Sequence, residues 1–575
     1  MPSRGDIIKR VRKTGHFPVV IVGGGINGIG TFRDLSAQGI DCLLVEKGDF
    51  CAGASGASSR MIHGGLKYLE SGELRLVAES VSERNLLLRN AAHAVAPAEF
   101  LILNRSWFGG TLHAMKRFFG GKAPLGGRGT FITAVGLFAY DMLGMRNKAT
   151  PRSSIYSRAA ILRKIKGLRD NLVAASSYYD CLIEQPERLA VELVLDGLSD
   201  NPGSAALNHV SLIGLSDGRL RLRDEIEGAE WDVTTSLMIN AGGAWIDEVN
   251  RRAGQTGRLI SGTKGSHIVL DHPELAARLG DAVLCFEAAD GRECFAYVVF
   301  ERVVVGSSDI PVIDPDAVRC SPEETRYLFA ALEHAFPGFT VKPEQIVYTY
   351  CGVRPLAHAP VEDPAELSRS HALVTSEAAG GRTFPILSLI GGKWTTYRSF
   401  SEEAADRALK LLGAKRSKST RTLAIGGGKD FDIRNRERSA GEIRGIMQCS
   451  GERADTLVRR YGSRAAEVAR HCLAHGDTPL STDRSYSIPE IDFLVNREFA
   501  RRICDILKRR TSLALRGLHT GEVIDEIAAI MGNALHWDEA TMKREADLAR
   551  DELARFNLPE LDGPLSKAGE RCLPT

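Results

Sequence analysis

Four features are missing from this chain of 575 residues, and each absence removes a class of protein. No apolar run approaches the ~20 residues of a membrane-spanning helix, so no span is predicted. No charge of one sign dominates: 74 Lys+Arg against 72 Asp+Glu leave a net +2. That balance predicts no nucleic-acid partner. No C-x-x-C pair occurs, and the 11 cysteines are odd in number and scattered. Such usage argues against a disulfide framework or a zinc site, so no metal is predicted, and it points to a reducing, cytoplasmic compartment. Finally, Met1 to Lys13 hold no apolar core followed by a cleavage site, so no signal peptide is predicted. Arg4, Lys9, Arg10, Arg12 and Lys13 instead suggest a solvated basic tail over residues 1–16, with contact to anionic lipid as the alternative.

Glycine is plentiful, at 58 residues, and its placement carries the first functional signal. Pro18 to Val22 read as a buried strand, and Gly23-Gly24-Gly25-Ile26-Asn27-Gly28 as a turn opening a helix. Asp41-Cys42-Leu43-Leu44-Val45-Glu46 is a second strand closed by a carboxylate. This is a dinucleotide-binding pattern. Gly23 permits the tight turn, Gly25 lets the backbone approach a pyrophosphate, and Gly28 lets the helix pack on the strand. The helix N-terminus then offers unpaired N–H groups to the phosphates, and Glu46 stands where an acid binds a ribose hydroxyl. A glycine-rich turn in an unrelated sheet would leave Glu46 unexplained.

At this length two or three domains are expected. Strand-like runs at 18–22, 42–46, 235–240, 266–270, 301–306 and 385–390 alternate with helical stretches, and residues 17–415 read as one α/β unit. Residues 416–434 read as a linker. Beyond 435, Ile491, Leu494, Val495, Phe499, Ile503 and Leu507 recur at helical spacing, so 435–560 reads as a helical domain and 561–575 as a tail.

Residues 51–69 distinguish a flavin from a nicotinamide. They are rich in small residues and hydroxyls, including Ser58 and Ser59, and can lie along an extended cofactor. Gly64-Gly65 allows close approach to a flat ring. A nicotinamide enzyme would follow Glu46 with another ordinary βαβ unit.

These motifs resemble the FAD-dependent, quinone-linked glycerol-3-phosphate dehydrogenases. The resemblance rests on Val22 to Gly28, Ser58 to Glu70, Asn240-Ala241-Gly242, Lys264 to Val269, Gly306-Ser307-Ser308-Asp309, Tyr350 to Leu356, and Gly391 to Arg398. It extends to Glu490 to Val495 and Arg509-Arg510-Thr511, and so covers residues 17–560. It implies a glutathione-reductase-like FAD-binding Rossmann domain interleaved with an antiparallel substrate domain, followed by a helical domain. The implied cofactor is noncovalent FAD, held by Gly23, Gly25, Asn27, Gly28, Glu46, Ser58, Ser59, Gly64, Gly65, Gly242, Gly392 and Thr395. The implied reaction oxidises sn-glycerol 3-phosphate to dihydroxyacetone phosphate by hydride transfer to flavin N5, with quinone as acceptor. The alternatives are a related polyol phosphate such as a tetritol phosphate, an O2-reducing oxidase, and a flavin-binding regulatory protein without turnover.

A base poised near neutral pH suits such chemistry. His63 and His267 are the candidates, with His63 favoured. Arg354 and Lys393 are the cations assigned to the reacting end, and Lys67 and Tyr68 join them as substrate-binding residues. Lys67 departs from the family pattern, which has arginine there. A point charge in place of a planar fork implies a looser phosphate grip or a different polyol. Residues 105–131 are longer than the family's equivalent. Trp107, Phe108, Phe118 and Phe119 with Lys116, Arg117 and Lys122 suit a membrane interface or an aromatic-packed loop. Residues 296–301 lack the expected proline-tryptophan pair. Peripheral attachment to the inner face of the cytoplasmic membrane is therefore an expectation, and a homodimer is left open.

Overall fold

The computed structural model describes residues 3–69, 73–111, 113, 129–144, 149–358 and 371–556. The side chains of Lys67 and Tyr68, the cluster at 116–122 and the tail at 561–575 lie outside the described residues.

Two sheets share the chain. In the first, of eight strands, His16–Val22 lies between Glu230–Asn240 and Cys42–Val45, parallel to both. Ala205–Leu207 and Ile386–Ile390 extend it in parallel on either side, and Ala372–Ser376 adds an antiparallel edge. Val19, Val20 and Ile21 are wholly buried, as a central parallel strand covered on both faces requires. Helices Ile26–Ala37, Pro186–Asp200 and Tyr397–Leu411 pack beside it.

The second sheet has ten strands and is mostly antiparallel. Its centre runs Ile260–Leu270, Arg302–Gly306, Glu293–Val299, Ala282–Glu287, Val95–Asn104 and Ala174–Ile183. Ile346–Ala357 pairs with the other edge of Ile260–Leu270. The chain passes between the sheets repeatedly, so the two subdomains are interleaved. All six strand-like runs read from the sequence are strands.

Three expectations need correcting. The amino-terminal tail is a helix, Arg4–Thr14, capped by Ser3 and closed by Gly15 at φ 65. It buries Ile7, Ile8 and Val11; half-buried Arg4 pairs with Asp224 and Arg10 donates to the carbonyls of Pro202 and Ser204, while Lys9, Arg12 and Lys13 stay exposed. Charge alone does not reveal such docking; the apolar spacing at 7, 8 and 11 does. The expected linker is packed rather than loose, with Gly426, Gly427 and Gly428 buried. Cβ atoms at Gly427 and Gly428 would lie 2.0 Å from Tyr461 O and 2.4 Å from Asn90 O.

The helical domain is also less separate than its sequence suggests. Asp49, just beyond Glu46, accepts from Arg509 Nε at 2.6 Å and from Arg510 Nη1 and Nη2 at 2.7 and 2.8 Å. Burial alone would raise the Asp49 carboxyl, but the two guanidiniums outweigh it and hold it low. Asp49, His209 and Asp505 are grouped closely enough to suggest a metal, yet this arginine pair already neutralises them.

Candidate active site

A cavity of about 1380 Å³ opens where the two sheets meet, and the glycine turn forms one wall. Gly23 sits at φ 117, and a Cβ there would stand 2.4 Å from Ala241 O. A Cβ at Gly28 would lie 2.0 Å from Gly23 O, which is the close helix–strand packing expected of it. Gly25 differs: the nearest atom to a Cβ is Ser55 Oγ at 3.3 Å. Its open side belongs to the cavity. Helix Ile26–Ala37 starts at Gly25, which has no side chain to cap it; Ser55 Oγ accepts from Ile26 N at 3.0 Å, and the helix N-terminus faces the cavity.

Glu46 lies at the same end. It accepts from Gly24 N at 2.6 Å and from Gly48 N at 2.8 Å. Burial raises its carboxyl above the ordinary range, against the pull of those two N–H groups. Asn27 Nδ2 donates to Gly391 O at 2.9 Å, while Asn27 Oδ1 is buried without a partner. An open glycine face, a helix N-terminus on the cavity wall and a fixed carboxylate fit the pyrophosphate and ribose of a dinucleotide.

The other end is built from side chains. On strands Ile260–Leu270 and Ile346–Ala357, Gly265 faces Gly352, His267 faces Tyr350 and Thr263 faces Arg354. Period-two alternation puts Gly265, His267, Gly352 and Arg354 on one surface. Glycine at 265 makes room for Arg354, whose Nη2 would lie 2.2 Å from a Cβ there. Arg354 donates to Asp309 Oδ1 and to Ser307 Oγ, both at 3.0 Å. His267 is buried, stacked on Tyr350 at 4.7 Å, and its Nε2 lies 2.8 Å from Ser59 Oγ. Burial, then the charges of Arg354 and Arg60, push it down to about 3. It is therefore a neutral imidazole.

His63 is half-buried and lines the cavity. Its peptide N–H donates to Thr395 Oγ1 at 3.0 Å. The next residue is fixed more firmly: Gly64 N donates to Tyr140 Oη at 2.9 Å and to Asp180 at 3.2 Å. Arg84 Nη1 holds Asp180 at 2.6 Å.

The cavity brings together Gly23, Gly25, Asn27, Glu46, Ser58, Ser59, His63, Gly65, Gly242, His267, Arg354, Gly392, Lys393 and Thr395. Gly64 is not among its lining residues. A Cβ there would meet Tyr140 Oη at 2.1 Å, so Gly64 makes room for a tyrosine, not a flat ring. Sequence reasoning missed the Arg84–Tyr140–Asp180 support, although a lone acid inside the apolar strand Ala174–Ile183 was a signal for it.

With this geometry in place, comparison with known proteins is direct. The family described as FAD dependent oxidoreductase matches residues 18–398, and the C-terminal domain of alpha-glycerophosphate oxidase matches 418–542. The chain belongs to the FAD-dependent oxidoreductases and, among them, to the glycerol-3-phosphate dehydrogenase family. The Synechocystis sp. glycerol-3-phosphate dehydrogenase is 31% identical over 529 residues, covering 87% of this chain and 89% of that one. The aerobic glycerol-3-phosphate dehydrogenase of Bacillus subtilis is 25% identical, covering 92% and 93%. Among solved structures, the Bacillus halodurans glycerol-3-phosphate dehydrogenase complexed with FAD superposes with a TM-score of 0.75 at 20% identity. That match covers 97% of this chain and 98% of the other, and it shows the same fold. The cofactor is FAD.

Proposed function

We propose that this chain oxidises sn-glycerol 3-phosphate to dihydroxyacetone phosphate and passes the electrons to a quinone. The observation that carries the reading is one cavity holding the dinucleotide cradle at one end and His63, Arg354 and Lys393 at the other. Bound FAD, held without a covalent link, supplies the hydride acceptor at flavin N5. The protein's own residues do the rest. Arg354 and Lys393 attract the phosphate dianion, with Lys67 and Tyr68 as further contacts, and Asp309 and Ser307 keep the Arg354 guanidinium in plane. His63 takes the hydroxyl proton. It faces the cavity, whereas His267 has Nε2 engaged by Ser59 and is too weak a base at about 3. His267 instead holds Ser59 in place.

The quinone reading has its own support. Met61, Leu66, Phe100, Ile102 and Tyr178 line an apolar arm of the cavity. Beside it lies helix Thr130–Gly144, which buries Leu137 and Tyr140 and exposes Phe131, Val135, Phe138 and Met142. Trp107 and Phe108 are exposed near its start, with Phe108 and Phe131 ring centroids 5.8 Å apart. An outward apolar stripe of this size suits the surface of a bilayer, where long-chain quinones reside. No helix among the described residues is long and apolar enough to cross a membrane.

Lys67, where the family pattern has arginine, favours one second reading, a longer polyol phosphate as substrate. A substrate panel with a dye acceptor separates the two. Glycerol 3-phosphate should give the highest kcat/KM, and a tetritol phosphate turning over faster would replace it. Heat denaturation should release free FAD into the supernatant; flavin remaining on the precipitated chain would contradict noncovalent binding.

A further inference from the structure

The loop that leaves Glu46 is held from the far end of the chain. On its inner side it is tied to the glycine turn. Glu46 Oε2 accepts from Gly24 N at 2.6 Å, and Cys51 N donates to Gly24 O at 2.8 Å. From the neighbouring strand end, His209 N donates to Gly48 O at 2.6 Å and Val210 N to Glu46 O at 2.8 Å. Cys51 and His209 both take left-handed backbone angles, φ 65 and 53. Neither is a glycine, and such angles persist only where surrounding contacts impose them.

The helical domain supplies those contacts by two routes. The first is ionic. The Asp49 carboxylate accepts from Arg510 Nη1 at 2.7 Å and Nη2 at 2.8 Å, from Arg509 Nε at 2.6 Å and from Asn208 Nδ2 at 2.9 Å. Arg510 stands 461 positions from Asp49, and both side chains are wholly buried. Arg510 Nε donates to Glu498 O at 2.8 Å, which fixes the plane of the fork. Among the described residues, the FAD-binding half offers this carboxylate only the neutral Asn208 amide. The second route is apolar. Phe50 packs edge-on against Phe499, with ring centroids 5.4 Å apart. The same ring lies against the glycine turn, where a Cβ at Gly24 would stand 2.8 Å from Phe50 Cδ1. Two consecutive loop residues thus join the cofactor cradle to the helical domain.

We propose that the helical domain is part of the FAD site: Arg510, with Arg509, acts through Asp49 as a positioning residue for the cradle formed by Gly24 and Glu46, and the docked domain thereby raises the affinity for FAD. By reciprocity, bound FAD tightens the seam between loop and domain.

The test uses the full chain, stripped of FAD and titrated with FAD while flavin fluorescence reports the dissociation constant. Circular dichroism checks that each variant used is folded at the working temperature. Arg510→Lys keeps the charge but loses the two-pronged contact, so affinity should fall about tenfold. Asp49→Asn removes the charge within the same shape and should cost at least as much. Phe499→Leu trims the apolar route alone and should cost about threefold. Glu490→Gln is the control. Glu490 is equally buried, and it accepts from Arg453, Arg460 and Tyr461 wholly within the helical domain. That substitution should lower the melting temperature and leave FAD affinity within twofold. In the apoprotein, hydrogen exchange at Gly24 N and Gly48 N, both bonded to Glu46, should be faster in Arg510→Lys than in the parent. Parent-like FAD affinity or exchange in Arg510→Lys would overturn the proposal, as would parent-like affinity in Phe499→Leu should the charge variants not fold. An equal loss of affinity in Glu490→Gln would overturn it too, because the effect would then be one of general stability.

Discussion

The two ends of the cavity are built from different materials. At the Glu46 end the surface is mostly backbone: an open face at Gly25, a helix N-terminus on the cavity wall and a carboxylate clamped by two peptide N–H groups. At the Arg354 end it is side chains, set by residues from other elements: the Arg354 side chain by Asp309 and Ser307, His267 by Ser59, and the His63 peptide N–H by Thr395. Backbone recognition needs glycine at fixed spacing within a short stretch. Side-chain recognition draws on residues 63, 354 and 393, which only the crossing between the sheets brings together. The cofactor end should therefore fail all at once, and the reacting end by degrees.

The largest effect should come from Gly25→Val. The nearest atom to a Cβ there is 3.3 Å away, so the chain should fold, but the side chain would occupy the space of the pyrophosphate. The purified protein should be colourless with a normal circular dichroism spectrum. At Gly23, where φ is 117 and a Cβ would stand 2.4 Å from Ala241 O, the same substitution should prevent folding. A yellow Gly25→Val protein would refute the backbone account of that end.

At the other end Arg354→Ala should keep its flavin and lose several hundred-fold or more in kcat/KM. That corresponds to the ~3–5 kcal/mol typical of removing one partner of a desolvated charge pair. Activity within threefold of the parent would make Arg354 a structural residue only.

Outside the cavity, Phe138→Ser should lower partition onto phospholipid vesicles about tenfold while dye-linked activity in solution stays unchanged. Phe138 is 69% exposed, so the substitution costs little in the core. Unaltered vesicle binding would remove the membrane reading of that helix. The smallest effect should follow Thr395→Val, which removes the acceptor for the His63 N–H but keeps the shape. A fall in kcat of about tenfold, with FAD content intact, is expected from the ~1–3 kcal/mol of an unsatisfied buried donor. No change in kcat would separate His63 from Thr395.

The same contrast explains how much the sequence revealed. Strand, turn, helix and acid between residues 18 and 46 form a local pattern, and each of those elements stands where the spacing puts it. The placement of His267, Arg354 and Lys393 in one cavity was legible only through motifs resembling a family. The partners that hold them were not, because Asp309 meets Arg354 across the strand Ile260–Leu270, and Asp180 meets Gly64 where Ala174–Ile183 pairs with Met61–Ile62, more than a hundred residues away in sequence. Two surface segments show the limit most clearly. The cationic residues 4–13 suggested a solvated tail, yet buried Ile7, Ile8 and Val11 dock that segment as a helix. Helix Thr130–Gly144 is apolar enough to read as core, yet it turns Phe131, Val135, Phe138 and Met142 outward. Composition records how much charge or apolar surface a segment has; only packing decides which way it points.

The central claim is that this cavity oxidises a small polyol phosphate with bound FAD. The most direct test is the visible spectrum of the yellow protein, without oxygen or any other acceptor, during titration with sn-glycerol 3-phosphate. The flavin band should bleach with one equivalent of substrate per flavin, and dihydroxyacetone phosphate should appear in the same amount. A band that stays oxidised in excess glycerol 3-phosphate, in protein that dithionite still bleaches, would contradict the account.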